Sequence, residues 1–322
     1  MKKAAFFMGK GGVGKTTISS TIAYQLSQEG AKVLIVSLDP AHNLGDVFGK
    51  KLSNEIKTLE TNLEGMEVDL AVWVGLYLKQ SREEVRANYM YHNAINLDTF
   101  VNIIKYSPGT EEYAVLWAIE HVYKNYSTVY DLIIFDTPPT ALTLRFLAMP
   151  SITSIWVKEL SKMRELILKK RQTILSLNPE ASILKNPNSP GSEASVQGAT
   201  DKNDDQIYLK LSSITGRLSE LQRIFSEESY LAVVVNPDTL SVAEALRIRQ
   251  ELNNLNVHIN SVCLNKMAAD SLRDNVEKSF EGFPVFTSQL LAEGVRTAAD
   301  LGRIDIAGIK ADIKTQNCGD LR

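Results

Sequence analysis

The chain has 322 residues, of which 44% are hydrophobic and 23% charged, and its formal net charge is −3. This composition is ordinary for a soluble globular protein; it excludes a disulfide framework and predicts no direct nucleic-acid partner. No apolar run reaches the ~18 residues of a membrane span, and the N-terminus lacks the apolar core of a signal peptide. We therefore expect a cytoplasmic protein whose membrane association is at most transient and comes from a partner.

The first predicted element is a strand, Ala4 to Met8, and it leads through a glycine-rich loop into a helix-like segment, Ile18 to Gln28. The loop fits G-x-x-x-x-G-K-[ST] without a gap. Its glycines let backbone N–H groups turn towards phosphate oxygens, Lys15 adds a positive charge, and Thr16 offers a hydroxyl to Mg²⁺. A chance match is the alternative, which the flanking strand and helix disfavour. The predicted nucleotide site is Gly9, Lys10, Gly11, Gly12, Val13, Gly14, Lys15, Thr16 and Thr17.

A second buried strand, Lys32 to Ser37, is followed by a loop that contains Asp39 and Asp46. Carboxylates at the carboxyl end of a strand, beside a P-loop, lie where open α/β sheets bind their ligands. We expect Asp39 to contact magnesium and Asp46 to contact a water molecule. The alternative is an Asx-rich turn that caps a helix.

Two largely helical segments, at about 52–126 and 151–230, interrupt the alternation of strands and helices. Between them, Tyr130 to Asp136 is a buried strand that ends in a carboxylate, the position expected of a second magnesium ligand. In the later segment, Ser151 to Leu177 has apolar residues at helical spacing and a basic opposite face. Ordinary core packing and a groove for a helical client are both compatible with this stripe. Residues 178–205 are polar and predict a mobile loop.

The remaining strands are predicted at Leu231 to Val235, Ile259 to Leu264 and Phe283 to Phe286. The whole pattern predicts one α/β domain over residues 1–322. It is a mostly parallel P-loop NTPase sheet with helices on both faces and an inserted α-helical subdomain.

The string Lys10-Gly-Gly-Val-Gly-Lys15-Thr resembles the deviant Walker A family of ATPases. Asp39-Pro-Ala-His-Asn-Leu-Gly-Asp46 is similar to switch I of its arsenite-pump and tail-anchored-protein-targeting members. The resemblance implies ATP and Mg²⁺ as ligands and a homodimer in which Lys10 reaches the partner's nucleotide. It also implies that Asp46 polarises the attacking water. Asn236 and Asn265 would then contact the nucleotide, Asn265 at the adenine, with a plain strand-end turn as the alternative for Asn265. Where relatives show Gly-His in switch II, this chain has Ala141-Leu142.

We expect the chain to be an ATPase that catalyses hydrolysis with Lys10, Lys15 and Asp46. Cys263 and Cys318 are too few for a three-thiolate arsenite site, and no C-x-x-C follows Asn265, so neither a metalloid site nor a zinc clasp is expected. The expected function is a nucleotide-switched dimer that shelters or targets apolar transmembrane helices of tail-anchored client proteins. Two alternatives stay open: an ATPase subunit that drives an arsenite or anion transporter in the membrane, and a nucleotide-switched partition or localisation scaffold.

Overall fold

A computed structural model of the chain describes residues 2–41, 43–88, 107–177, 205–267, 273–289, 294–295 and 297–317. The predicted mobile loop at 178–205 falls outside this range except for its last residue, and Cys318 also falls outside it.

A single eight-stranded sheet organises the protein, in the order β3-β4-β2-β5-β1-β6-β7-β8. Every pairing is parallel except that between β3 and β4, which is antiparallel. The strands are β1 Ala4–Met8, β2 Val33–Ser37, β3 Lys57–Glu60, β4 Leu63–Glu67, β5 Leu132–Asp136, β6 Ser229–Val235, β7 Ser261–Met267 and β8 Val285–Gln289. This is the P-loop NTPase-like α/β fold that the sequence predicts.

In the part of the chain that the structure describes, the helices range from 4 to 38 residues in length. They are α1 Lys15–Gln28, α2 Asn43–Phe48, α3 Leu70–Asn88, α4 Thr110–Tyr126, α5 Thr140–Leu177, α6 Gln206–Arg223, α7 Thr239–Asn254, α8 Arg273–Ser279, α9 Ala298–Leu301 and α10 Ala307–Asn317. A π-helical turn, Ile224–Glu228, follows α6 and leads directly into β6.

The central strands are continuous apolar runs because helices cover both of their faces. All five residues of β1, of β2 and of β5 are buried, as expected for strands of a parallel sheet. Phe6 of β1 stacks on Phe135 of β5, with ring centroids 4.6 Å apart, and Phe225 meets Phe6 edge-on. Since β1 lies between β5 and β6, the loop that follows it opens at the middle of the sheet's carboxyl edge.

The chain divides into two compact units, one made of residues 1–149 and 223–322 and the other of residues 150–222. The first contains the whole sheet. In the second, the Arg164 guanidinium donates to both carboxylate oxygens of Asp205, at 2.9 and 2.5 Å, and Gln222 donates to the hydroxyl of Ser151. These contacts tie α5 to the start and the end of α6 within this unit.

Helix α5 starts earlier than the apolar stripe predicts. It begins at Thr140 and passes through Pro150 without a break, although proline lacks the N–H that would bond to the carbonyl of Phe146. Of the described residues, one stretch, Thr140–Thr173, is long and apolar enough by length and composition to cross a membrane. Its first turns belong to the core, since Phe146 and Leu147 are buried in the first unit.

Candidate functional site

The loop between β1 and α1 has a backbone that only glycine adopts readily. Gly9 has φ +148°, and a Cβ at this position would lie 2.4 Å from the carbonyl oxygen of Val234 in β6. Gly14 has φ +93°, and its Cβ would lie 2.4 Å from Nδ2 of Asn265. These contacts explain why glycine is required at the two ends of the motif: the chain must turn in the left-handed region and pass close to its neighbours.

The P-loop lysine is held at the base of this turn. Lys15 is only 6% exposed, and its Nζ donates to the carbonyl oxygen of Lys10 at 3.4 Å. Burial lowers the pKa of Lys15, while the nearby charges of Asp136 and Asp39 oppose that shift. A desolvated ammonium group at the start of a helix is well suited to attract phosphate oxygens.

Two elements bring the predicted magnesium ligands together. Thr16, in the first turn of α1, donates its hydroxyl to Oδ2 of Asp136, the last residue of β5, at 2.7 Å. Asp136 is 1% exposed, and this burial raises its pKa to about 7, although Thr16 and the charge of Lys15 favour the ionised form. Asp39 is close enough for its charge to act on both Lys15 and Asp136.

The donor set of this cluster fits Mg²⁺. Oδ1 of Asp136 is buried and has no hydrogen-bond partner among the described residues, although a buried carboxylate oxygen normally has one. A hydroxyl and carboxylates are the hard oxygen ligands that Mg²⁺ takes beside phosphate groups. Thr16, Asp39 and Asp136 are therefore the residues that would hold the ion.

Asp46 lines a cavity to which the residues of this cluster do not contribute. It is exposed in the short helix α2 and lines an open cavity of about 650 Å³ together with Glu67 and Asp69. Across the described residues, no hydrogen bond or ion pair joins Asp46 to Lys15 or to Asp136. The structure thus brings Asp39 close to Lys15 and Asp136, and it places Asp46 in the lining of a separate cavity.

Asn265 has a contact that the sequence did not predict. Strand β7 continues to Met267, so Asn265 lies within the strand, and its Nδ2 donates to the carbonyl oxygen of Val13 at 2.8 Å. The next residue, Lys266, has φ +57° and donates its Nζ to the carbonyl oxygen of Gly12 at 2.7 Å. The end of β7 therefore braces the P-loop. The sequence did not predict that Lys266 contacts the P-loop; the one hint was that a cationic residue stands at the end of a strand in the P-loop sheet.

The remaining predicted nucleotide contacts lie around this loop. Lys10, Gly11 and Gly12 are exposed, Val13 is buried and Thr17 is partly buried. Asn236, directly after β6, donates its backbone N–H to the hydroxyl of Ser241, and its side-chain Oδ1 is buried without a partner among the described residues. This oxygen lies directly after β6, at the carboxyl edge of the sheet, and is available to accept a hydrogen bond from a ligand.

The switch II segment is attached to the central strand. Thr137 donates its hydroxyl to the carbonyl oxygen of Phe7 in β1, at 2.7 Å. Ala141 and Leu142, where the resemblance in switch II departs from the expected Gly-His, lie in the first turn of α5, with Ala141 exposed and Leu142 partly buried. The hydrogen bond that attaches this segment to β1 thus comes from Thr137 and not from Ala141 or Leu142.

Comparisons with known proteins identify the family of this chain. The family described as Anion-transporting ATPase matches residues 2–304. The "Putative arsenical pump-driving ATPase 2" of Aquifex aeolicus (strain VF5) is 30% identical over 276 residues, which cover 85% of this chain and 83% of the relative. The "ATPase get3" of Schizosaccharomyces japonicus is 31% identical over 274 residues, covering 83% of this chain and 75% of the relative. The "ATPase get3" of Aspergillus niger is 30% identical over 315 residues, covering 90% of this chain and 85% of the relative. The chain belongs to the anion-transporting ATPase family, and it is a nucleotide-binding enzyme that hydrolyses ATP.

Proposed function

We propose that this ATPase is a cytoplasmic, nucleotide-switched homodimer that shelters apolar helices of client membrane proteins. The observation that carries the proposal is the apolar surface of α5 in the second unit, which we call the α5 apolar face. Its exposed fractions are Ile152 48%, Ile155 67%, Trp156 69%, Leu160 43%, Met163 54%, Leu166 58% and Ile167 37%.

Exposure of this many large apolar side chains on one helix calls for a partner. Scattered apolar residues are normal on protein surfaces, whereas a contiguous patch marks a site of interaction with protein or membrane. Within the same helix Val157 and Leu168 are buried, so ordinary packing accounts for those two and leaves the others uncovered. An amphipathic or apolar helix is the occupant that matches a long apolar helical surface. The resemblance to tail-anchored-protein-targeting ATPases favours the same occupant.

The hydrolytic machinery follows from the cluster at the P-loop. Lys15 and the loop amides would bind the phosphates of ATP, and Thr16, Asp39 and Asp136 would hold Mg²⁺, which neutralises charge on the phosphate oxygens when it is bound. Lys10, whose side chain is exposed, would reach the nucleotide of the facing subunit. Asp46 would orient the attacking water. Because no hydrogen bond or ion pair joins Asp46 to Lys15 among the described residues, we propose that the dimer brings the two together.

A binding experiment tests the client. A synthetic apolar helix is offered, without detergent, to the ATP-loaded protein carrying Asp46→Asn, and its capture is measured by gel filtration. We expect Trp156→Glu to reduce capture by at least about tenfold, because one buried charge removes ~1–3 kcal/mol or more of binding free energy. Leu240→Glu is the matched control, since Leu240 is also 69% exposed but lies in the first unit. Equal capture by both variants would contradict the proposal.

Two further variants test the hydrolytic roles. Asp46→Asn should lower kcat by roughly 10²–10³-fold while ATP binding is retained, the loss expected when one group that acts in the transition state is removed. Lys10→Ala should lower turnover in a chain that still binds ATP. A monomer that hydrolyses ATP at the full rate with Lys10 replaced would refute the dimer mechanism.

A transporter-driving ATPase is the second candidate, favoured by the relatives named as arsenical pump-driving ATPases. The environment of Cys263 does not favour a metalloid site. This residue is 1% exposed, and its burial raises the thiol pKa to about 12, so little of the thiolate that soft metalloids bind is present. Arsenite or another oxyanion should raise the turnover rate if this candidate is right. Unchanged turnover with each anion at saturating ATP would exclude it.

A further inference from the structure

A buried carboxylate on the strand next to the switch holds the backbone at Asp46. Glu67, the last residue of β4, is 6% exposed. Its Oε1 accepts the backbone N–H of Gly45 at 2.8 Å. Gly45 directly precedes Asp46 in the first turn of α2, so the bond acts on the peptide next to the aspartate.

The first turn of a helix is where such a bond has the largest effect. The N–H groups there have no partner within the helix, and a negative charge near them is favourable because the helix dipole is positive at this end. In a six-residue helix these groups make up most of the donors, so an acceptor from outside stabilises a large part of the helix. Glu67 supplies that acceptor from a strand that pairs in register with β2, with Ser37 opposite Glu67.

The same peptide is held from its other side. The carbonyl oxygen of Gly45 accepts the N–H of Lys50 at 3.0 Å, and that of Asp46 accepts the N–H of Gly49 at 3.3 Å. A side chain at position 45 has no room, since a Cβ there would lie 2.6 Å from the carbonyl oxygen of Lys50. The backbone at 45–46 is therefore fixed by close contacts on both sides, one of which is the Glu67 side chain.

We propose that Glu67 is a positioning residue for ATP hydrolysis: it holds the N–H of Gly45 and thereby sets the position from which Asp46 acts. This inference rests on the role proposed above for Asp46. In this role Glu67 acts through the backbone of α2. Small displacements of a catalytic group can lower a rate by roughly a hundredfold, so the effect of losing the bond should appear in kcat.

Two substitutions of similar size distinguish the loss of the hydrogen bond to Gly45 from a change in side-chain packing. Glu67→Gln keeps a side-chain oxygen that can accept the Gly45 N–H, whereas Glu67→Met fills a comparable volume without a good acceptor. We expect Glu67→Met to lower kcat about 10- to 100-fold with less than about a threefold change in KM for ATP. Glu67→Gln should stay within about threefold of the unaltered protein in both constants.

Glu64→Gln is the matched control on the same strand. The carboxylate of Glu64 accepts a hydrogen bond from the hydroxyl of Tyr130 and makes no bond to α2 among the described residues. The Glu64→Gln variant should therefore have the kcat of the unaltered protein. Equal kcat for the Met and Gln variants of Glu67 would overturn the inference. So would a loss in Glu67→Met that appears only as lower thermal stability, measured by circular dichroism on the same samples.

A double variant distinguishes failure of this inference from failure of the proposed mechanism. If Glu67 acts through Asp46, adding Glu67→Met to Asp46→Asn should lower single-turnover hydrolysis no further. Independent, additive losses would refute the positioning role and leave the role of Asp46 intact. Full turnover by Asp46→Asn alone would refute the mechanism on which the inference rests.

Discussion

The alanine variant of Gly9 tests the P-loop geometry directly, because the space for a side chain at this position is already filled. The added Cβ would lie 2.4 Å from the carbonyl oxygen of Val234 and 3.2 Å from Cγ2 of Val13. Val234 is a backbone neighbour in the central part of the sheet and cannot move without disturbing the pairing of β1 with β6. The strain therefore has to be absorbed by the loop or by the sheet.

The expected magnitude has two parts. Holding alanine at φ +148° costs about 1–3 kcal/mol as backbone strain, and forcing a methyl group into a filled space costs about 1–3 kcal/mol more. We therefore expect Gly9→Ala to lower the free energy of unfolding by about 2–6 kcal/mol. That is a large fraction of the total stability of an ordinary domain.

Gly11→Ala is the control for this experiment. A Cβ at Gly11 has nothing within 4 Å, and Gly11 is not among the glycines with positive φ. Its unfolding free energy should change by less than about 1 kcal/mol. Urea denaturation of both variants without nucleotide, followed by circular dichroism, measures the difference. Equal denaturation midpoints for the two variants would refute the account of the loop.

Three other predictions concern the surroundings of the site. Asn265→Ala removes the bond to Val13, and by loosening the P-loop it should weaken ATP binding about 5- to 100-fold, as measured by titration calorimetry; unchanged affinity would argue against the brace. Lys310 and Lys314 lower the pKa of Glu29, so this group stabilises the fold above its ordinary pKa and the contribution is lost as the pH falls through the lowered value. As the pH is lowered, the free energy of unfolding should fall slightly less in Glu29→Gln than in the unaltered protein. Because Glu29 is exposed, we expect this difference to be less than about 1 kcal/mol, and a larger difference in denaturation at low pH would contradict the prediction. The buried thiol of Cys263 should react with a thiol reagent only after denaturation, in a chain whose other cysteine is serine; rapid labelling of the folded protein would show that the thiol is accessible.

The sheet and the P-loop were predictable because their signals are local. Residues 4–8 and 132–136 are short apolar runs bounded by turn or loop residues, which is how a strand buried on both faces reads in a sequence. The spacing of the glycines is set by the phosphate group around which the loop folds, so the motif alone identifies a phosphate-binding loop. Asp136 was predictable from a local signal too, since it is the carboxylate that ends a buried apolar strand.

Other features depend on distant partners and could not be predicted in this way. The edge strand Lys57–Glu60 has only Leu59 buried, and it forms because it pairs with β4. Asn265 and Lys266 contact the P-loop across more than 250 positions, and no local pattern marks such a contact. Helix α5 continues through Pro150, against the usual preference of proline to end a helix, and the local sequence alone predicts a break there.

The central place of β1 in the sheet has a consequence for how the protein is made. The P-loop is made before its neighbours: β1 pairs with strands that begin at Leu132 and Ser229, and Asn265, which bonds to the loop, lies 252 residues after Val13. At ~5–20 residues per second, the newly synthesised loop waits roughly ten to fifty seconds for its last support. Until then the loop lacks the neighbours that hold its geometry, so we expect ATP to stabilise the chain only late in its synthesis.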